Sequence, residues 1–235
     1  METHLHHDHK EDHLESSEML RDIVIGMSDG LTVPFALAAG LSGAVSSSTI
    51  IVIAGIAEIC AGSIAMGLGG YLAGKTELDH YTSEVKREYH EVENLRHLEI
   101  EETKEFFANI GLSPALQEQA TEEISRDKDR WVDFMMKYEL GLEKPDPKRA
   151  TKSALNIGLS YIAGGIIPLS PYFFIDNSAE ALKISVIATL ICLFVFGYFK
   201  SKITGINPWM GAIRVMLIGA LAAAAAFGVA KLFER

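Results

Sequence analysis

The chain has 235 residues, with 21 Lys and Arg against 31 Asp and Glu, a formal net charge of −10. That balance excludes the basic footprint a nucleic-acid surface needs. A hydrophobic fraction of 49% beside 22% charged residues, with a mean hydropathy of +0.18, hides two populations. Residues 75–152 carry 13 basic and 19 acidic residues, and residues 1–22 carry 2 and 7. The rest is long apolar runs with few charges. This is the profile of a membrane protein with an acidic head rather than of a soluble enzyme around one core. Cys60 and Cys192 both lie in apolar runs, so no disulfide framework is indicated. The acidic, His-rich start lacks the basic end and short apolar core of a cleaved signal, so the first apolar run is expected to act as an uncleaved span.

In chain order, residues 1–18 form an acidic tail containing His4, His6, His7, His9 and His13. Such a tract binds divalent metal loosely or does nothing of consequence. Crossing the hydrocarbon core takes roughly 20 mostly apolar residues. Five stretches qualify: Met19–Ala44, Thr49–Gly74, Ser153–Phe174, Leu182–Phe199 and Trp209–Lys231. The fold class is therefore all-α: five transmembrane helices, two in residues 19–74 and three in 153–235. A helical segment, residues 75–152, is inserted between the second and third. The first span holds Pro34 and the third Pro168 and Pro171, so both are expected to kink or break there.

Lys and Arg near the spans set the orientation. Lys200 and Lys202 follow the fourth span, and Lys148, Arg149 and Lys152 precede the third. The link 42–48 has no charge and the link 175–180 only acids. The N-terminus and residues 75–152 are therefore expected to be cytosolic and the C-terminus on the far side. Lys231 and Arg235 conflict mildly with this.

Within the insertion, the second membrane helix has no breaker before Asn109. Gly111-Leu112-Ser113-Pro114 then stops it. Ser113 reads as N-cap and Pro114 as first residue of the next helix, which reaches Leu140 whole or as a broken pair. Pro145 and Pro147 close the segment, and no strand pattern appears.

Two carboxylates, Asp29 and Glu58, fall in mid-span. A charge there costs at least ~2.5–3.5 kcal/mol, so such acids usually mark an ion or proton path; an acid hydrogen-bonded to a neighbouring helix is the alternative. Asp22 lies two turns before Asp29 on the same face, roughly 10 Å away along the axis. Met66 shares the face of Glu58 and Gly62. Carboxylate and thioether on one cavity suit a transition metal better than Mg²⁺ or Ca²⁺.

In the insertion, a straight helix aligns Glu84, Glu88, Glu91, Glu99 and Glu102 on one stripe. The pairs Glu88/Glu91 and Glu99/Glu102 have the spacing that lets two carboxylates share a cation. A solvated acidic face explains the stripe equally well. Met135 and Glu139 are one turn apart, with Met136 adjacent. Beside Trp131 and Phe134 these methionines also read as core. Carboxylate di-iron chemistry needs two Glu-x-x-His motifs; only Glu77 to His80 fits. No Walker loop, nucleophile elbow or zinc spacing is present. A membrane-anchored ferroxidase or a non-transporting metal buffer remain the alternatives to a transporter.

Three segments carry a resemblance. They are Asp29-Gly30-Leu31-Thr32-Val33-Pro34-Phe35 with Ala38 to Gly43, then Glu58 to Leu72, then Ser153 to Tyr161 with Gly164-Gly165 and Ile167-Pro168-Leu169. From about Leu20 to the C-terminus the chain resembles the vacuolar iron transporter family, its plant members above all. The resemblance implies exchange of cytosolic Fe²⁺, often also Mn²⁺, for protons of an acidic vacuole. It implies a homodimer in the lipid bilayer with the ion path at the dimer interface, no permanently bound cofactor and no enzymatic activity. Asp29, Glu58 and Met66 match the family's membrane metal path, which Asp22 feeds. Glu88, Glu91, Glu99, Glu102, Met135, Met136 and Glu139 match its cytosolic metal-binding domain. Co²⁺, Ni²⁺ and Zn²⁺ are expected to occupy the same sites.

Overall fold

The computed structural model describes residues 13–233; His4, His6, His7, His9 and Arg235 lie outside them. Eight α-helices follow in order among the described residues. They are α1 (His13–Ala44), α2 (Ser48–Asn94), α3 (Arg96–Asn109), α4 (Pro114–Ile124), α5 (Lys128–Phe134), α6 (Arg149–Leu169), α7 (Ser178–Ile203) and α8 (Pro208–Phe233). A π-helical turn, Met135–Glu139, follows α5, and a 3₁₀ turn, Ser170–Phe173, follows α6. The chain divides into two compact units, residues 1–71 with 151–235, and residues 72–150. Glu18–Ala44, Ser48–Asn94, Arg149–Phe173, Ser178–Ile203 and Pro208–Leu232 are long and apolar enough to cross a membrane.

In the first unit the outward faces are apolar: Ile64, Leu221 and Leu232 are 71%, 69% and 78% exposed. That inverts a soluble surface and is what lipid demands. Inside, glycine sets the spacing. A Cβ on Gly30 would lie 2.8 Å from the Tyr161 α-carbon, and one on Gly164 2.9 Å from the Leu31 nitrogen. Only glycine lets α1 and α6 approach so closely, as small residues do between membrane helices. Gly26 meets Ile157 and Ser160 in the same contact. The similar tetrapeptides Ile25–Ser28 and Ile157–Ser160 thus pack against each other. At one end Ser178 donates its hydroxyl to the Val45 carbonyl at 2.8 Å, and Ser47 bridges Asn177. These bonds tie the α1–α2 link to the α6–α7 link.

α1 continues through Pro34, so of the expected kink or break there, the break does not occur. Pro34 leaves the Gly30 carbonyl without its helical N–H, a loss that neighbouring helices make tolerable inside a membrane. α6 passes Pro168 and gives way to the 3₁₀ turn at Ser170.

In the second unit the core is Val92, Trp131, Val132, Met135 and Met136. Gly111 has φ +92° and provides the turn before α4. α4 starts at Pro114 as expected, although Ser113 makes no side-chain capping bond. The expected uninterrupted helix to Asn109 does not form: α2 ends at Asn94 and α3 starts at Arg96. The cause is local competition for backbone partners. Asn94 gives its side-chain amide to the His90 carbonyl at 2.8 Å. Arg96 then turns to the Ser125 carbonyl at 2.8 Å and stacks on Trp131 at 4.8 Å, which holds α3 in its new direction.

Candidate functional site

Two groups of titratable residues stand out, one in each unit. In the membrane-type unit, Asp22 on α1 is buried, and Asp29, Glu58 and Met66 are half-buried. Glu58 on α2 accepts a hydrogen bond from the hydroxyl of Tyr161 on α6. The same ring fills the space beside Gly62, where a Cβ would lie 2.7 Å from the ring carbon Cε1. Tyr161 therefore braces the carboxylate from one side, and its backbone presses on Gly30, the neighbour of Asp29. The other oxygen, Glu58 Oε2, is buried and has no hydrogen-bond partner in the protein. An uncompensated carboxylate oxygen in an apolar wall is costly. Glu58 also borders a groove of ≈ 540 Å³ whose other lining residues, such as Val33, Leu37 and Val229, are apolar. Tyr161 lies within the sequence motif, but its role is not legible there, because nothing local links residues 103 positions apart.

In the second unit, Glu88 on α2 and Glu99 on α3 are buried at 2% and 4% exposure. Glu91 is half-buried, and Glu102 and Glu139 are exposed. The break at Leu95 replaces the straight stripe with a gathering from three elements. Glu88 feels the charges of Glu139, Glu91 and Glu102, and Glu99 feels those of Glu102, Glu88, Glu139 and Glu91. Glu84 is engaged elsewhere, bonded to Arg87 at 2.9 Å.

Burial, then repulsion from these neighbours, pushes Glu88 from the ordinary 4.5 up to about 7; Arg87 opposes weakly. Burial and the same repulsion push Glu99 up to about 7. Glu139 is raised too, first by burial and then by Glu102 and Glu91. Glu88 Oε2 and Glu99 Oε2 are buried without partners. Among the described residues no three His, Cys, Asp or Glu side chains are set as they stand to hold one metal ion. Arg87 lies beside these acids, 3.5 Å from Glu91, and it offsets only part of their mutual repulsion. Met135 and Met136 are both buried, at 1%, and belong to the core of this unit. They and Glu139 lie on the π turn, closed by Leu140 N–H to the Met135 carbonyl at 3.1 Å. The sequence suggests only an ordinary helix there; π turns are rare and frequent at functional sites.

The chain can also be set beside known proteins. Residues 20–231 match the VIT family. Vacuolar iron transporter 1 of Oryza sativa subsp. japonica is 52% identical over 229 residues, 97% of this chain and 91% of that protein. Vacuolar iron transporter 1 of Arabidopsis thaliana is 51% identical over 226 residues, 96% and 90%. Protein CCC1 of Saccharomyces cerevisiae is 36% identical over 232 residues, 91% and 69%.

Proposed function

The chain belongs to the VIT family, and from that premise we propose that it carries Fe²⁺ from the cytosol into the vacuole in exchange for protons. The observation that carries the reading is the pair of carboxylates, Asp29 and Glu58, within helices built to span a membrane. Glu58 has one oxygen braced by Tyr161 and the other unpartnered. The rice and Arabidopsis relatives are named vacuolar iron transporters, so this is a transporter and not an enzyme. It is a multi-pass protein of the vacuolar membrane. Its N-terminus and residues 75–152 are cytosolic and its C-terminus lumenal.

Cytosolic metal is gathered by Glu88, Glu91, Glu99, Glu102 and Glu139 with Met135 and Met136. Burial, then mutual repulsion, raises Glu88, Glu99 and Glu139 above the ordinary carboxylate range; a divalent cation offsets that repulsion, and binding expels the protons they hold. The metal passes to Asp22 and then to Asp29, Glu58 and Met66. A carboxylate pair holds a divalent cation or protons, not both at full strength. Protons from the acidic lumen therefore displace the metal, and the two fluxes are coupled. A thioether beside oxygen ligands favours Fe²⁺, Co²⁺, Ni²⁺ and Zn²⁺ over Mg²⁺ and Ca²⁺; Mn²⁺ is carried as well. Working as a homodimer doubles every ligand on the path.

The test is metal entry into vesicles. Protein reconstituted into liposomes holding an iron-sensitive dye at lumenal pH 5.5 is expected to admit Fe²⁺ at least about tenfold faster than empty liposomes. Binding without entry would contradict transport and favour a metal buffer.

A further inference from the structure

Thr103 is fully buried on α3, at 0% exposure. Its hydroxyl oxygen accepts the indole N–H of Trp131 at 2.9 Å. Its single proton has two acceptors in reach, the Glu99 carbonyl at 2.7 Å and the Met135 sulfur at 3.4 Å. A helical threonine bonded to the carbonyl four residues back is ordinary. What is not ordinary is the completely buried Trp131 directing its N–H to that hydroxyl. The indole fixes the oxygen, and the oxygen fixes the sulfur.

Methionine has three rotatable bonds and fills whatever gap it meets. A thioether that must ligate a metal needs an outside group to hold it. Thr103 supplies that, and it joins the sulfur to the backbone of Glu99. A thioether sulfur has two lone pairs: the Thr103 proton engages one and leaves the other for a metal, so the sulfur stays oriented while it ligates.

We infer that Thr103, anchored by Trp131, is a positioning residue that presents the Met135 thioether and thereby biases the acidic cluster toward softer divalent metals. This rests on the proposed reading of Met135 as a metal ligand. Carboxylates alone discriminate weakly between Mn²⁺ and Co²⁺, whereas a held sulfur favours Co²⁺.

The experiment measures Co²⁺ and Mn²⁺ binding to the full-length protein in detergent by equilibrium dialysis, each metal alone. The readout is the ratio of the two affinities. Thr103→Val keeps the shape and removes the hydroxyl. It is expected to lower the Co²⁺/Mn²⁺ ratio by about tenfold, the range found on losing a group that orients a ligand. Thr103→Ser restores the ratio to within twofold of wild type, and Met135→Leu lowers it at least as far as Thr103→Val. If Met135→Leu lowers the ratio and Thr103→Val does not, the inference is overturned while the metal-site reading stands. If Met135→Leu leaves the ratio unchanged, the reading of Met135 fails and the inference falls with it. An equal loss of both metals in Thr103→Val marks a merely structural role and also overturns it. Should Thr103→Val not fold, Trp131→Phe removes the anchoring N–H together with one ring of the buried indole, so an equal loss of both metals there again marks a merely structural role. A lowered ratio there supports the inference, and an unchanged one overturns it.

Discussion

Replacing Asp29 by Asn is expected to lower Fe²⁺ entry into reconstituted vesicles by at least about a hundredfold, as loss of an intramembrane ligand and its charge requires. Co²⁺ binding by the Glu88 and Glu99 cluster is expected to stay within twofold. Asparagine matches aspartate in size and keeps one acceptor oxygen. It cannot carry the charge that balances a divalent cation, nor release and regain a proton. The substitution therefore removes both halves of the exchange without disturbing the contact between Gly30 and Tyr161 next to it. The check is paired: initial entry rate from an entrapped dye, and dialysis on the same preparation. An Asp29→Asn protein that keeps more than half the wild-type rate would place the route elsewhere. Glu58→Gln is expected to act similarly, since its unpartnered oxygen loses the charge that draws metal to it.

The second large effect is on pH. Glu88 and Glu99 sit at about 7 without metal, and metal binds the ionised form. Affinity for Co²⁺ should be flat above pH 8 and fall by about one to two powers of ten per pH unit well below 7, one for each proton expelled. Glu88→Gln should reduce that slope by about one. Stability of the metal-free protein runs the other way. Both groups are raised in the folded state above the ordinary 4.5. The native state therefore binds more protons than the unfolded chain between those values. Their contribution is full at low pH and is lost as pH rises through about 7. Metal-free protein should melt at lower temperature at pH 8 than at pH 6, and saturating Co²⁺ should cancel the difference. A melting temperature that rises from pH 6 to 8 without metal would show that the two glutamates are not held near neutrality.

The five spans are legible in the sequence because hydrocarbon imposes one requirement, a long apolar run, and each run satisfies it alone. The breaks inside the acidic segment are not legible. Leu95 is a good helix former; α2 stops there because Asn94 bonds back to His90 and Arg96 reaches Ser125 and Trp131. Ser125 and Trp131 are distant from Arg96 in sequence, and only the fold brings them close. The same break changes how the glutamates meet. A straight wheel puts them on one side of one helix, whereas the structure draws them from α2, α3 and the π turn after α5. Pro34 lies inside a continuous α1, so a proline in a membrane span does not by itself mark a helix end. Tyr161 escaped a role because its partner, Glu58, is on another helix.

If metal and proton flow are coupled, one trace reports both. Liposomes containing the protein, loaded with a pH-sensitive dye at lumenal pH 5.5 and clamped at zero potential, receive a pulse of Fe²⁺ outside. The lumen is expected to turn alkaline at once, in step with iron entry, and Asp29→Asn to abolish both signals together. Iron entry at the wild-type rate with no change in lumenal pH would contradict the coupling.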